Sequence, residues 1–248
     1  MFEHYDLTDR FPMKFDVERM RKELEELENE NWLSHYDEAL ADGWTTIPLV
    51  SHDGSADGAE SQRIGKWGEY KRTRYVDQLP YFKEILDAFD CPHGRIRIMK
   101  LMPNSVINEH RDTYSEVSDY AFGQVRLHIP IVTNDKVKFI VNGTNYHLKE
   151  GRLYYVNFSK KHYVRNDGDE PRTHLVLDVK VNDFLEKIFP KLTPYQKLEC
   201  HISRKLIPVF IWHPKKNYLR IMSWFWRNYN GSRIQSLRHR LFPKRDPY

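Results

Sequence analysis

The chain has 248 residues, of which 40% are hydrophobic and 14% are aromatic. This composition excludes a fully disordered chain and is sufficient for the core of one large domain. The first ten residues are acidic and polar, and no apolar run approaches the length of a membrane span, so the sequence predicts a cytoplasmic protein.

Charge is distributed unevenly along the chain. The formal net charge is +4, but residues 201–248 contain eleven Lys or Arg and a single acid, which gives this segment +10 and the first 200 residues −6. The asymmetry predicts that the tail contacts an anionic partner. We favour packing against the acidic main body, and a peripheral membrane surface or an acidic carrier protein is the alternative. No nucleic-acid-binding motif is found in the sequence.

The two cysteines, Cys91 and Cys200, do not form a CxxC motif, so neither a disulfide framework nor a zinc-thiolate site is predicted. In chain order, the first predicted element is a helix over 16–29, with Asp16 as its cap. A strand follows at 44–50, then a loop over 51–62, and then a helix over 79–89 with Pro80 in its first turn.

From residue 95 to residue 181, short runs of β-branched and aromatic residues alternate with turn signals, which is typical of a sandwich or barrel. Asn142-Gly143 is a strong hairpin signal between two of these runs. After residue 183 the pattern again becomes helical. The predicted strands are 95–101, 125–132, 137–141, 145–148, 153–157, 163–166 and 173–181, and the predicted C-terminal helices are 183–189, 194–205, 216–227 and 232–241.

Three residues have the types and spacing of a metal site. His110 and Asp112 alternate on an extended segment, so both side chains point to one side. A second histidine, His162, begins a predicted strand further along the chain. Two histidines and one carboxylate on one face of an ion form the triad that is associated with non-haem Fe(II) oxygenases. The alternatives are a surface histidine beside a turn aspartate, and a partly buried loop histidine at position 162.

Basic residues on core strands indicate a small anionic ligand. Arg172 enters an apolar strand, where its charge requires an anionic partner such as a co-substrate carboxylate. Arg126 and His128 share one face of another strand. The alternatives are a structural salt bridge at Arg172, and a core histidine at position 128 with an arginine that reaches solvent at position 126.

The stretch from Trp44 to Asp178 resembles the aspartyl/asparaginyl β-hydroxylase family of 2-oxoglutarate oxygenases, and within it the bacterial proline cis-3-hydroxylases. The ordered set of motifs is specific, although each motif alone is not. The motifs are Trp44-Thr45-Thr46-Ile47-Pro48-Leu49, Gln78-Leu79-Pro80-Tyr81, His110-Arg111-Asp112, Arg126-Leu127-His128, Gly151 and the spacing from His162 to Arg172.

The resemblance implies a mainly β fold with flanking helices around a double-stranded β-helix (jelly-roll) core. It implies Fe(II) bound by His110, Asp112 and His162, with O2 and 2-oxoglutarate as co-substrates. Arg172 would bind the distal carboxylate of 2-oxoglutarate with His128 nearby, and Arg126 would contact the co-substrate or a substrate carboxylate. The predicted regions are N-terminal helices and a strand that pack on the core over 1–90, a double-stranded β-helix catalytic core over 91–182 and a basic aromatic C-terminal helical region over 183–248.

The implied reaction hydroxylates an unactivated C–H bond of an amino acid or amino-acid-derived small molecule and releases succinate and CO2. The last seventy residues depart from the family pattern. A hydroxylase of a lipid- or glycan-linked substrate and a non-catalytic jelly-roll binding protein are therefore kept as alternatives. Candidate substrate contacts are His52, Asp53, Arg95 and Arg97, for which the alternative is a solvated surface position.

Overall fold

The computed structural model describes residues 2–34, 43–112 and 119–205. Residues 1–200 form one compact unit and residues 201–248 form another, of which only the first five residues are described. The helices predicted over 216–227 and 232–241, and most of the basic tail, lie outside the described residues. Within the described ranges, no helix has the length and apolar character required to cross a bilayer.

Strands dominate the described ranges. The strands are β1 (His4–Asp6), β2 (Leu33–Ser34), β3 (Trp44–Ser51), β4 (Lys71–Arg72), β5 (His93–Leu101), β6 (Val106–His110), β7 (Gln124–Val132), β8 (Val137–Val141), β9 (Thr144–Asn145), β10 (Tyr154–Val156), β11 (His162–Asn166) and β12 (Arg172–Lys180). The helices are α1 (Val17–Glu25), α2 (Arg74–Gln78), α3 (Pro80–Ala88), α4 (Asp183–Ile188) and α5 (Pro194–Lys205), with short 3-10 turns at Thr8–Arg10, Ala59–Gln62 and Tyr120–Phe122.

The strands form two antiparallel sheets. The large sheet has the order β1-β10-β7-β12-β5-β3-β2, with β4 paired to β3, and the small sheet has the order β6-β11-β8-β9. Among the last eight strands, β5, β12, β7 and β10 are neighbours in the large sheet, and β6, β11, β8 and β9 form the small one. This arrangement of eight strands is a double-stranded β-helix, so the predicted fold class is confirmed.

The large sheet separates an apolar face from a polar one. On β7, Leu127 and Ile129 belong to a core cluster that also contains Phe82 of α3, so this face packs against the helices. Arg126 and His128 alternate with them and face the opposite way, toward the inside of the barrel. The same alternation continues on the neighbouring strands β5 and β12, which places basic and acidic side chains on the inner face.

A second apolar cluster fills part of the barrel interior. It combines Leu101 and Val156 of the large sheet with Ile107, Phe139 and Val141 of the small sheet. Side chains from both sheets therefore pack together in the interior, as in other closed β architectures. The inward-facing charged residues are held beside this dry cluster, and their electrostatic interactions are correspondingly strong.

Several predicted elements are confirmed with small changes in their bounds. Asp16 caps α1 by accepting a hydrogen bond from the backbone N of Arg19 at 3.1 Å, but α1 ends at Glu25 and turns follow it. The predicted hairpin is present between β8 and β9, where Asn142 (φ 49°) and Gly143 (φ 83°) both have positive φ angles. Two consecutive positive φ values define the type I′ turn that Asn-Gly favours. Both cysteines are free.

Other elements differ from the prediction. The strand predicted over 145–148 is wrong, because pairing with β8 ends after Asn145. The prediction missed β1, which has only three residues and no readable alternation, and α2, which has five. It also missed β6, whose sequence Val-Ile-Asn-Glu-His has polar residues at three of five positions. This last strand carries His110, one of the candidate ligands.

Candidate metal and anion site

The two candidate histidine ligands are cross-strand partners. In the antiparallel pairing of β6 with β11, His162 lies opposite His110, and a register shift follows between His162 and Val164. Directly opposite residues on an antiparallel pair point to the same face. The two imidazole centroids are accordingly only 4.2 Å apart.

Backbone carbonyl groups set the orientation of both rings. Nδ1 of His110 is 2.7 Å from the carbonyl oxygen of Asn108, and Nδ1 of His162 is 2.9 Å from that of Lys160. A carbonyl can only accept, so each Nδ1 carries the proton and donates it. This tautomer leaves the lone pair of each Nε2 available to a metal, with the carbonyl as the orienting partner.

Asp112 completes the group. Its Oδ1 lies 3.8 Å from Nε2 of His110 and 3.9 Å from Nε2 of His162. The ligand atoms of all three residues lie within 4.8 Å of one another. The backbone N of Asp112 donates to the carbonyl of Phe158 at 3.0 Å, and Nη1 of Arg126 donates to Oδ2 at 2.7 Å. One carboxylate oxygen is therefore held by the protein while the other points toward the histidines.

The donor chemistry fits a divalent transition metal. Burial, with His110 as the next cause, lowers the pKa of His162 to about 3, so its imidazole is neutral and able to coordinate near neutral pH. Two neutral imidazole nitrogens and one carboxylate oxygen on one face are the donor set of a facial triad. The structure thus brings together all three residues that the sequence singled out as ligands.

A buried cluster of three arginines surrounds Asp178 beside the triad. Arg126 donates from Nε to Oδ1 of Asp178 at 2.6 Å as well as to Asp112, so it bridges the two carboxylates. Nη2 of Arg97 lies 3.3 Å and Nε of Arg95 lies 3.7 Å from Oδ2 of Asp178. Arg95 and Arg97 are 4% and 5% exposed, so the alternative of solvated surface positions is wrong for both.

The charge state of Asp178 follows from this cluster. Burial by itself would raise the pKa of the Asp178 carboxyl, but the guanidinium groups of Arg126, Arg97 and Arg95 hold the pKa well below its usual range. Asp178 is therefore ionised. The sequence analysis did not assign Asp178 a role. Its spacing on β12, six residues from Arg172, could have placed both side chains on the same inner face.

Arg172 is buried without an acidic partner among the described residues. It is 2% exposed, its Nη2 donates to Nδ1 of His174 at 2.8 Å, and its guanidinium lies 5.5 Å from the centroid of the Phe139 ring. Its buried Nε has no hydrogen-bond partner. Burial lowers the pKa of Arg172 to about 9. The alternative of a structural salt bridge is not found within the described ranges.

His128 belongs to the same group. Its Nδ1 lies 3.4 Å from Nδ1 of His174, and the buried Nε2 atoms of both histidines have no hydrogen-bond partner in the described part of the chain. The His128 ring is 5.2 Å from Phe158, which packs edge-on against His162 at 4.6 Å. Phe158 therefore connects the cluster of Arg172, His128 and His174, called the anion cluster below, with the triad.

The loop candidates have local partners instead. Nε2 of His52 is 2.7 Å from a carboxylate oxygen of Glu69, and the Asp53 carboxylate accepts from the backbone N of Ser55 at 2.8 Å. No contact between either residue and the triad is found within the described residues. Both side chains are accounted for by the structure of their own loop.

Comparison with known proteins places the chain in a family. A model of the aspartyl/asparaginyl β-hydroxylase family matches residues 14–181, which is more than half of the chain. The chain belongs to this family, as the sequence motifs predicted. The match includes the triad, the arginine cluster and the anion cluster.

One curated relative is the L-proline cis-4-hydroxylase of Rhizobium meliloti (strain 1021). It is 27% identical over 176 residues, which are 70% of this chain and 61% of the relative. The match thus spans about three fifths of the relative's length.

Two solved structures show weaker similarity. A 2OG-Fe(II) oxygenase family oxidoreductase from Burkholderia pseudomallei has a TM-score of 0.43 at 14% identity over 66% of this chain and 77% of that one. A prolyl-4-hydroxylase from Pseudomonas putida has a TM-score of 0.42 at 12% identity over 68% of this chain and 89% of that one.

Proposed function

We propose that this protein is an Fe(II)- and 2-oxoglutarate-dependent oxygenase that hydroxylates a C–H bond of an amino acid or amino-acid-derived small molecule. The observation that carries the proposal is the convergence of His110, Asp112 and His162 beside Arg172, a buried guanidinium without an acidic partner among the described residues. All of these residues lie in the region over 91–182, which we take as the catalytic core.

In this proposal His110, Asp112 and His162 would hold the iron. Bound there with 2-oxoglutarate and O2, it would supply the oxidising chemistry of a reaction whose co-products are succinate and CO2. The protein fixes the three ligand atoms before the metal arrives. It does so through the carbonyls of Asn108 and Lys160, which orient the imidazoles, and through Arg126, which holds Asp112.

The anion cluster is the proposed site for the distal carboxylate of 2-oxoglutarate. Arg172 offers donors in the planar fork that suits a carboxylate, and its burial makes the pairing strong because water does not compete. The unsatisfied Nε of Arg172 is a donor that a bound anion would use. His128 lies beside it and faces the barrel interior.

The arginine cluster supports an amino-acid substrate. Arg126, Arg97 and Arg95 gather on the inner face of the large sheet, where Arg126 contacts a triad residue directly. An amino acid carries an α-carboxylate, and placing this group near the arginines would position the rest of the molecule close to the metal. The proline hydroxylase activity of the Rhizobium meliloti relative is consistent with a small amino-acid substrate.

Two other functions remain as outcomes of the test. A hydroxylase of a lipid- or glycan-linked substrate would use the basic segment over 201–248, most of which lies outside the described residues. A non-catalytic jelly-roll binding protein would not require three converging ligand atoms with pre-set tautomers, so the triad argues against it.

The test is anaerobic titration of the purified protein with Fe(II) and 2-oxoglutarate. We expect the weak visible charge-transfer band of a keto acid chelated to iron, followed by succinate release after air is admitted. The matched control is His201→Ala, which removes an exposed histidine outside the region over 91–182 and is expected to keep the band. A folded, metal-loaded protein without the band would contradict the oxygenase proposal. If the band is present, screening of amino acids and lipid-linked substrates for accelerated succinate release would separate an amino-acid hydroxylase from a hydroxylase of a lipid-linked substrate.

A further inference from the structure

The hydrogen bond between Arg172 and His174 leads beyond the residues that the family motifs mark. We infer that His174 is a positioning residue: it fixes the guanidinium of Arg172 in the orientation that receives the co-substrate carboxylate. The inference rests on the proposed function, because it assigns Arg172 to 2-oxoglutarate. The two residues are two positions apart on β12 and project from the same face of the strand.

Few other groups hold the guanidinium. Among the described residues, the guanidinium of Arg172 donates from Nη2 to Nδ1 of His174 at 2.8 Å and lies 5.5 Å from the centroid of the Phe139 ring. The aromatic contact is at the outer limit of a cation–π interaction and restrains rotation weakly. An arginine has several rotatable bonds, so a specific acceptor at one end of the fork decides where the remaining donors point.

His174 suits this role because it accepts without adding negative charge. Burial, then the charge of Arg172, lowers the pKa of His174 well below its ordinary value, so the ring is neutral beside the cation. An aspartate at this place would also accept the hydrogen bond, but it would neutralise Arg172. A neutral acceptor orients the guanidinium and leaves its whole charge for an anionic ligand.

The tautomer of His174 follows from the same contact. Because Arg172 can only donate, Nδ1 of His174 is the acceptor and the ring proton is on Nε2. The ring also lines a small cavity together with Thr133, Phe139, Tyr146 and Leu148. A smaller side chain would enlarge this cavity, so a small variant is interpreted only against another variant of the same size.

Three substitutions separate orientation, charge and bulk. His174→Phe keeps a ring but removes the acceptor. His174→Asn restores an acceptor, because its amide oxygen occupies nearly the position of Nδ1. His174→Asp keeps an acceptor but adds the neutralising charge. Dissociation constants for 2-oxoglutarate are measured by calorimetry on the full-length protein loaded with Mn(II), and Mn(II) affinity is measured separately.

We expect His174→Phe to weaken 2-oxoglutarate binding roughly ten- to hundredfold, the usual effect of losing a hydrogen bond to a charged group. His174→Asn is expected to restore most of the affinity, and His174→Asp to bind at least as poorly as His174→Phe. Mn(II) affinity is expected to stay the same in all three. In turnover assays with Fe(II), His174→Phe should raise the KM for 2-oxoglutarate more than it lowers kcat.

The possible failures are distinguishable. If the wild-type protein with Mn(II) bound does not bind 2-oxoglutarate, the proposed function and this inference are both overturned. If the wild type binds 2-oxoglutarate, and His174→Phe and His174→Asp both bind it as tightly as the wild type does, only the inference is overturned. If His174→Phe does not fold, the comparison of His174→Asn with His174→Asp decides, because the inference requires tight binding in the first and weak binding in the second.

Discussion

At the scale of single residues, the site depends on which ring nitrogen of each histidine carries its proton. The carbonyls of Asn108 and Lys160 take the Nδ1 protons of the two triad histidines, while Arg172 forces the proton of His174 onto Nε2. Backbone and side-chain partners thus fix three imidazoles before any ligand binds. Such preorganisation would lower the cost of ordering the proposed metal site when an ion binds.

Substitution of Asp112 by alanine tests the triad. The change removes the only carboxylate of the triad and leaves Nη1 of Arg126 without its Asp112 partner at 2.7 Å. We expect metal affinity and turnover to fall by more than the roughly 10–100-fold that is typical of losing a residue that hydrogen-bonds to a metal ligand. The measurement is Fe(II) affinity by anaerobic titration, with Asp135→Ala, a fully exposed carboxylate, as the control. Full activity in Asp112→Ala would show that the triad is assigned wrongly.

Substitution of Arg172 by methionine should have opposite effects on stability and binding. Arg172 is buried without an acidic partner in the described ranges, so an apolar side chain of similar length removes a desolvation penalty. We expect the free energy of unfolding of the ligand-free protein to rise by about 1–3 kcal/mol. The stabilisation by added 2-oxoglutarate should disappear, as measured by urea unfolding with and without it. A large loss of ligand-free stability would instead indicate a structural role.

The buried histidines should make stability depend on pH. Burial, then the charge of Arg172, holds the pKa of His128 well below 6.5, so the folded protein keeps this ring neutral. The unfolded chain takes up the proton as pH falls below about 6.5. The contribution of the neutral His128 ring to the free energy of unfolding is therefore fully present above this pH. It is lost as the pH falls toward the lower pKa of the folded state.

Urea unfolding between pH 7.5 and pH 5 measures this effect. We expect His128→Leu to reduce the dependence of unfolding free energy on pH by up to about 1.4 kcal/mol per pH unit, which corresponds to one proton. The exposed His147 provides the control, since His147→Ala should keep the slope of the wild type. An unchanged slope in His128→Leu would mean that the ring is already charged, or hydrated, in the folded protein.

Sequence reasoning reached the triad but only part of its surroundings. The proximity of His110, Asp112 and His162 could be predicted because residue type and spacing together restrict the chemistry. The contact of Arg126 with Asp178 required the register of β7 with β12, which places the two residues opposite each other. Such cross-strand neighbours are distant in sequence, and one sequence contains no direct signal for their pairing.

At the scale of elements, α1 is held against the edge of the barrel by a close approach at Gly151. This glycine has a φ angle of 67°, and a Cβ atom there would lie 2.8 Å from Cγ2 of Val17 and 3.3 Å from the carbonyl of Phe15. A salt bridge of 2.7 Å between Arg21 of α1 and Glu150 reinforces the contact. The position therefore requires glycine both for its backbone angle and for space.

Two glycine-to-alanine substitutions separate these requirements. Gly143 also has a positive φ angle, 83°, but a Cβ atom there would have nothing within 4 Å. We expect Gly143→Ala to cost about 1–2 kcal/mol of unfolding free energy from the backbone alone. Gly151→Ala should cost more, because it adds the clash with α1. If thermal or urea unfolding gives the same loss of unfolding free energy for both variants, α1 moves away from the added methyl group at little energetic cost.

The elements that were predicted correctly have strong local signals. Helix α5 has the predicted bounds, and β5, β7 and β12 were found within two residues at each end, because their apolar runs are long. Strand β6 was missed because three of its five residues are polar. In addition, β11, its one partner among the described strands, lies far along the chain. Pairing of that kind is set by tertiary structure and overrides local propensity.

At the scale of the whole molecule, the last strand among the described residues, β12, ends at Lys180, and the first compact unit ends at residue 200. Removal of residues 206–248 should therefore leave the core folded. We expect the shortened protein to keep its thermal midpoint within a few degrees and to keep its Fe(II) affinity. Loss of the fold would show that the tail is required for stability. Loss of liposome association alone would support a membrane role for the basic segment.

The pairing of His110 with His162 also has a consequence for folding kinetics. The two residues lie on β6 and β11, which are the second and the seventh of the eight strands of the double-stranded β-helix. They become neighbours only when these two strands pair. Contacts between residues this far apart form late, because a loop of roughly 50 residues must close first. The refolding protein should thus become able to bind metal only at the end of refolding. A spectroscopic signal of metal binding would then report when β6 and β11 pair and the barrel closes.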